Sequence, residues 1–135
     1  MTLKCTIEIP KKSLDKLEVN KATGKLELDR RLNQPIPEAY GFVNDTLVDD
    51  GDALDVFVVS NDDLHSLDVV NVVPVFVVIA EDQGVRDDKV IASVDGRLDS
   101  HEPVAAIRQY LETYKAGFVV KEIVDASNYP IKVGR

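Results

Sequence analysis

Leu3, Cys5, Ile7 and Ile9 alternate with Lys4, Thr6 and Glu8, the period of two that marks a half-buried strand. Pro10 ends it. Residues 14–19 alternate again, with Leu17 and Val19 on one face and Lys16 and Glu18 on the other. Asn20-Lys21-Ala22-Thr23-Gly24 reads as a turn, and 25–30 returns as a third strand. Its Arg30 shares the side of Leu26 and Leu28, an odd place for a surface arginine. Residues 33–37 are irregular, with two prolines. The pattern then predicts a short strand at 40–43, an acidic loop at 45–52, and strands at 54–59 and 69–80 joined by the polar stretch 61–66. Pro74 inside the latter strand predicts an edge or a bulge. A polar turn at 81–88 and a strand at 89–94 follow, and 118–124 is a last strand.

One segment has helical spacing instead. Val104, Ile107, Leu111 and Tyr114 form an apolar stripe. Ser100 is the expected N-cap, Glu102 suits the first turn, and Pro103 is tolerated there. Lys115 is placed in the last turn and Gly117 just beyond it. No repeat, low-complexity segment or linker divides the chain. Many short strands and one late helix predict a single domain over 1–135: a mainly β, α+β fold, with a small antiparallel barrel and one principal helix near the C-terminus.

With 135 residues the chain is long enough for one domain with a real core. The net charge of −8 argues against a partner that is nucleic acid or a membrane surface. It leaves phosphate substrates open, because a bound metal reverses the local sign. Cys5 is the one cysteine, so no intrachain disulfide forms, and its neighbours predict a buried thiol. Because the pattern opens on a strand, no signal peptide is expected. The longest apolar stretch, 69–80, is interrupted by Asn71 and Pro74 and is too short to span a bilayer. The expected location is the cytoplasm.

The acidic loop carries the most chemistry. Asp50-Gly51-Asp52-Ala53-Leu54-Asp55 runs into Val56-Phe57-Val58-Val59, a strand apolar on both faces. Asp55 falls on the face of Phe57 and Val59, where an unpaired carboxylate would be costly without a cation or strong donors. A solvated turn explains the loop equally well from spacing alone. A calcium loop of the EF-hand type does not, because its sixth-position glycine and twelfth-position glutamate are absent from registers starting at Asp50 or Asp52. A Mg²⁺ cage for phosphoryl chemistry is the remaining reading. A second acidic pair, Asp82 and Asp87, flanks Gln83-Gly84-Val85-Arg86, and Lys89 faces the same way as Asp87 in an extended segment. Lys16, Arg30 and Lys115 sit where snorkelling or ion pairing is the ordinary explanation. Taken with the carboxylates, they supply both halves of a metal–phosphate site, acids for metals and bases for phosphate oxygens.

Asp50-Gly51-Asp52-Ala53-Leu54-Asp55-Val56 resembles the signature Asp-Gly-Asp-Pro-x-Asp-apolar of the soluble family I inorganic pyrophosphatases. The resemblance extends from Ile7-Glu8-Ile9-Pro10 to Tyr114-Lys115. Between them Lys16-x-Glu18, Asp29-Arg30, Pro37-x-x-Tyr40-Gly41-Phe42, Asp82, Asp87 and Lys89 stand in family order. It implies a five-stranded OB-like barrel and Mg²⁺-dependent hydrolysis of pyrophosphate, with several Mg²⁺ ions, Mn²⁺ or Zn²⁺ as substitutes, and a homo-oligomer. It also implies roles. Asp50, Asp55, Asp82 and Asp87 would hold metal, with Glu8 and Glu18 acting mostly through metal-bound water. Asp52 would orient or deprotonate the attacking water, with Tyr40 hydrogen-bonding nearby. Lys16, Arg30, Lys89, Tyr114 and Lys115 would grip pyrophosphate and the leaving phosphate.

Departures from the pattern fall at Ile36, where the family usually places a phosphate-contacting tyrosine, at Ala39 and at Ala53. The 30–40 segment is shorter than usual, and the long C-terminal portion of typical bacterial members is missing. These support an alternative, a catalytically weak or inactive metal–phosphate binding module of the same fold. A barrel binding single-stranded nucleic acid would need a basic groove with stacking aromatics, which four Phe, four Tyr, no Trp and a charge of −8 do not supply.

Overall fold

The computed structural model describes residues 1–46 and 53–132. Its strands are β1 (Leu3–Ile9), β2 (Asp15–Asn20), β3 (Lys25–Arg31), β4 (Ala39–Val43), β5 (Asp55–Val59), β6 (Val69–Asp82), β7 (Val85–Arg86), β8 (Lys89–Ser93) and β9 (Phe118–Asp125). Helix α1 (Glu102–Thr113) precedes β9, and a one-turn 3-10 helix (Ala126–Asn128) follows it.

Five strands close a ring in the order β1-β4-β5-β8-β6, with β6 pairing back to β1. This is the expected barrel, with a difference. The contact between β5 and β8 is parallel, whereas the other ring pairings are antiparallel. Both strands are covered on both faces, which is why they read as unbroken apolar runs. Val56, Val58, Val90 and Ala92 point into a core inside the ring, with Cys5, Ile7 and Val77. Phe57 and Ile91 point outward, beneath Ile107, Tyr110 and Leu111 of α1. Burying a side chain such as Phe57 stabilises the fold by about 1.5–3 kcal/mol. Strands β2 and β3 form a separate hairpin.

Bulges break the alternation at several places, three of which bear on the expected pattern. Ile7 pairs with Gly41 but Ile9 pairs with Tyr40, so Glu8 is the extra residue. Ile7 therefore belongs to the inner core and Ile9 to the layer under α1, although strict alternation puts them on one face. Asp29 is the extra residue opposite Lys16 and Leu17, which breaks the parity that placed Arg30 beside Leu26 and Leu28. Between Pro74 and Phe76 the β6–β8 ladder shifts register, the bulge that Pro74 predicted.

The N-cap of α1 is His101 rather than Ser100, though the Ser100 hydroxyl accepts the Glu102 N–H at 3.3 Å. Lys115 lies beyond the last turn, whose C-cap is Tyr114. No helix among the described residues is long and apolar enough to cross a membrane.

Candidate active site

The strands bring one set of polar side chains to a common cleft. Glu8, Lys16, Glu18, Tyr40, Asp55, Asp82 and Asp87 line a cleft of about 280 Å³. A larger groove, about 640 Å³, lies across the 86–88 segment and has no comparable convergence of carboxylates. Asp50 and Asp52 lie outside the described residues. Their flanks are anchored: the Leu54 N–H donates to the Thr46 hydroxyl at 2.8 Å, and the Val43 N–H to the Leu54 carbonyl at 2.8 Å.

Register explains the centre of the site. Asp55 opens β5 and Lys89 opens β8, directly paired. The Lys89 ammonium donates to Asp55 Oδ2 at 2.8 Å, to the Tyr40 hydroxyl at 2.9 Å and to Asp87 Oδ1 at 3.2 Å. Burial opposes its charge, but Tyr40 and the two carboxylates outweigh that and hold its pKa well above the usual lysine value. Tyr40 is fixed edge-on against Phe57, 4.7 Å between ring centres. Burial, with Asp55 adding to it, raises its pKa well above normal, so it stays a neutral phenol. Asp87 is raised by burial, opposed by Lys89 and reinforced by the charges of Asp55 and Asp82.

The rim is built from three neighbouring elements. The bulge re-aims Glu8, whose Oε2 accepts the Val19 N–H at 2.8 Å and so ties the β2–β3 hairpin to the barrel. Burial pushes Glu8 up to about 6, against the Val19 N–H and the charge of Lys21. Lys16 reaches Asp29 at 3.0 Å. Gln83 and Gly84, both at positive φ, make the tight two-residue turn from β6 to β7. The Gln83 N–H donates to the Gly117 carbonyl at 2.9 Å and its side chain to the Ala116 carbonyl at 3.0 Å. That clamp holds the end of α1 against β6, where Lys115 meets Asp82 Oδ2 at 2.6 Å. A Cβ at Gly117 would collide with the Gln83 side chain, and its φ of +84° also favours glycine.

The remaining expected residues sit outside the cleft. Lys89 is beneath its floor and only 3% exposed. Tyr114 is stacked on Tyr110 at 4.9 Å and lines a small apolar niche with Ile36, Lys16 and Tyr40. Arg30 is exposed on β3, paired in register with Lys16, and its charge is felt by Tyr110. Lys21 lines the cleft, above the Phe42 ring at 4.3 Å, yet nothing in its turn sequence marks it.

The donor set fits a hard divalent cation, since it is all oxygen. Asp82 Oδ1 is buried and has no hydrogen-bond partner among the described residues, an atom suited to a cation. Among the described residues no three carboxylates, histidines or cysteines already stand in ligating geometry.

The chain is similar to known proteins along nearly its whole length. The family described as "Inorganic pyrophosphatase" matches residues 5–127. Soluble inorganic pyrophosphatase 2 of Chlamydomonas reinhardtii is 36% identical over 134 residues, covering 90% of this chain and 69% of its own. The inorganic pyrophosphatase of Corynebacterium efficiens is 34% identical over 115 residues, covering 83% of this chain and 73% of its own. The crystal structure of inorganic pyrophosphatase from Thermus thermophilus superposes with a TM-score of 0.85 at 34% identity, over 93% of this chain and 83% of that one. A match along almost the whole chain, on a barrel whose strand ends deliver acids and bases to one cleft, leaves one conclusion: this chain belongs to the inorganic pyrophosphatase family.

Proposed function

We infer that this chain is an inorganic diphosphatase that hydrolyses pyrophosphate to two phosphates, and that it does so with Mg²⁺. The observation that carries the reading is the meeting of Asp55, Asp82 and Asp87 with Lys89 and Lys115 at one end of the barrel, in a chain of this family. Mg²⁺ suits the oxygen donors, and Mn²⁺ or Zn²⁺ would substitute.

Asp50, Asp55, Asp82 and Asp87 would hold the metal, with Glu8 and Glu18 at its edge. Divalent ions, when bound, lower the pKa of an attacking water and neutralise phosphate oxygens. Asp52 would take the water's proton. Tyr40, a neutral phenol, would keep Asp55 and Lys89 in place while offering its hydroxyl to the cleft. Lys16, Arg30, Tyr114 and Lys115 would hold the phosphate oxygens, and Lys115 would release Asp82 as metal and substrate enter. Lys89 would act from beneath, through its charge. Cations fixed in this way stabilise charge gathering on the leaving phosphate without reorganising. The working form is taken to be a homo-oligomer.

The test is phosphate release from pyrophosphate by purified protein. It should require Mg²⁺, be inhibited by Ca²⁺, and be abolished by Asp52→Asn with folding intact. One observation favours the alternative of a binding module: Ile36 is buried in the apolar niche beside Lys16 and Tyr40 and offers no hydroxyl. Calorimetry showing pyrophosphate bound without turnover would select it.

A further inference from the structure

Asp88 lines both the cleft and the larger groove beside it, yet both of its carboxylate oxygens are already taken by protein donors. It is 6% exposed. Its Oδ1 accepts the Ala80 N–H at 3.0 Å. Its Oδ2 accepts from Arg86 Nε at 2.7 Å and from the Tyr129 hydroxyl at 2.9 Å. The Ala80 carbonyl in turn accepts the Asp87 N–H at 2.9 Å. Both backbone groups of Ala80 are therefore committed to the 87–88 dipeptide.

The position of Ala80 gives this meaning. The β6–β8 ladder ends at Val78, and the β6–β9 pairing shifts register between Ile79 and Ala80. A buried backbone N–H beyond the ladder needs another acceptor. The Asp88 carboxylate supplies it and, being charged, makes a stronger bond than a neutral group would. The dipeptide is thus fixed to β6 immediately before Lys89 begins β8. The other carboxylate oxygen is occupied from a distant part of the chain. Tyr129 follows the one-turn 3-10 helix, which is itself capped by Asp125 accepting the Ser127 N–H at 2.9 Å.

We propose that Asp88 is a positioning residue that clamps the Asp87–Lys89 segment onto β6, and that the Tyr129 hydroxyl locks the clamp from the C-terminal segment. The proposal rests on the hydrolytic reading of the site for its effect on rate, and on the hydrogen bonds alone for its effect on structure. Asp88 and Tyr129 need touch neither metal nor pyrophosphate. Partners of this kind, once removed, cost activity about 10–100-fold in metal sites.

The experiment compares the unaltered chain with Asp88→Ala, Asp88→Asn and Tyr129→Phe. Two readouts are taken: kcat and KM for pyrophosphate with Mg²⁺, and amide hydrogen exchange at Ala80 and Asp87 in metal-free protein. Asp88→Ala should lower kcat about 10–100-fold, more than it changes KM. Tyr129→Phe should lower kcat roughly fivefold, the effect of one lost hydrogen bond. Asp88→Asn keeps an acceptor for Ala80 and should recover part of the loss. Exchange at both amides should quicken in Tyr129→Phe and Asp88→Ala. A role in stability alone predicts a lower Tm with unchanged kcat in folded protein; that result, or unchanged exchange in Tyr129→Phe, overturns the proposal. If the unaltered chain releases no phosphate, the hydrolytic reading fails, while the exchange data still decide whether the clamp exists.

Discussion

The Lys89 ammonium lies 2.8 Å from Asp55 Oδ2, the two residues being paired across the parallel contact that completes the barrel. Closure of the fold and assembly of the site are therefore one event. The same ammonium holds Asp87 at 3.2 Å, so one buried cation separates two carboxylates that would otherwise repel.

Lys89→Met tests this. It leaves Asp55 and Asp87 facing each other without a counter-charge. Breaking a buried pair costs about 3–5 kcal/mol. The carboxylates keep 30% and 27% exposure, so the lower end of that range is expected. Adding Asp55→Asn should recover part of the loss, because it removes the repulsion. Urea unfolding of metal-free protein measures both; an unchanged midpoint in Lys89→Met contradicts the account.

Glu8 makes a prediction about pH. Its carboxyl is pushed from 4.5 up to about 6 on folding. Between those values the folded chain holds a proton that the unfolded chain has lost. Stability contributed by Glu8 is thus full below 4.5, falls as pH rises through 6, and stays lost above it. The shift corresponds to about 2 kcal/mol. Metal-free Glu8→Gln should gain up to that amount over wild type at pH 7.5, and little at pH 4.5. Denaturant midpoints at both pH values measure it, and an equal difference at the two would contradict the assignment.

Gly41 is a test of packing. A Cβ there would be driven into the Thr6 carbonyl oxygen of β1, a backbone atom that cannot move aside cheaply. Gly41→Ala should destabilise by about 3 kcal/mol or more, since overpacking typically costs 1–3 kcal/mol even where side chains can shift. A Tm within a degree of wild type would show that the β1–β4 contact is looser than described.

Metal should bind the folded site and not the unfolded chain. Mg²⁺ at a hundred times its Kd would then add about 2.7 kcal/mol of stability. Asp82→Asn should diminish the Mg²⁺-dependent rise in Tm, because Asp82 Oδ1 is a buried oxygen at the cleft with no partner among the described residues. An undiminished rise in this variant would place the cation elsewhere.

Much of this was legible in the sequence because periodicity and charge spacing are local properties. The strand at Leu3–Ile9, the apolar stripe on α1 and the shared orientation of Asp87 and Lys89 all follow from side-chain period. What escaped it depends on register. Alternation cannot foresee the bulges at Glu8 and Asp29, which change the face of Ile9 and interrupt the parity of Arg30. Nor can it foresee that β5 and β8 run parallel, which places Lys89 beneath the cleft rather than along its wall. Asp88 was invisible for a similar reason. In an acidic turn it reads as one more solvated carboxylate, and only the tertiary meeting of Ala80, Arg86 and Tyr129 gives it work.

The most direct test of the whole account is phosphate release from pyrophosphate, with and without Mg²⁺, by wild type and Asp87→Asn. Wild type should release two phosphates per pyrophosphate, dependent on Mg²⁺, and the variant should show a large loss of rate. Wild-type protein that is folded and supplied with Mg²⁺ but releases no phosphate would contradict the account.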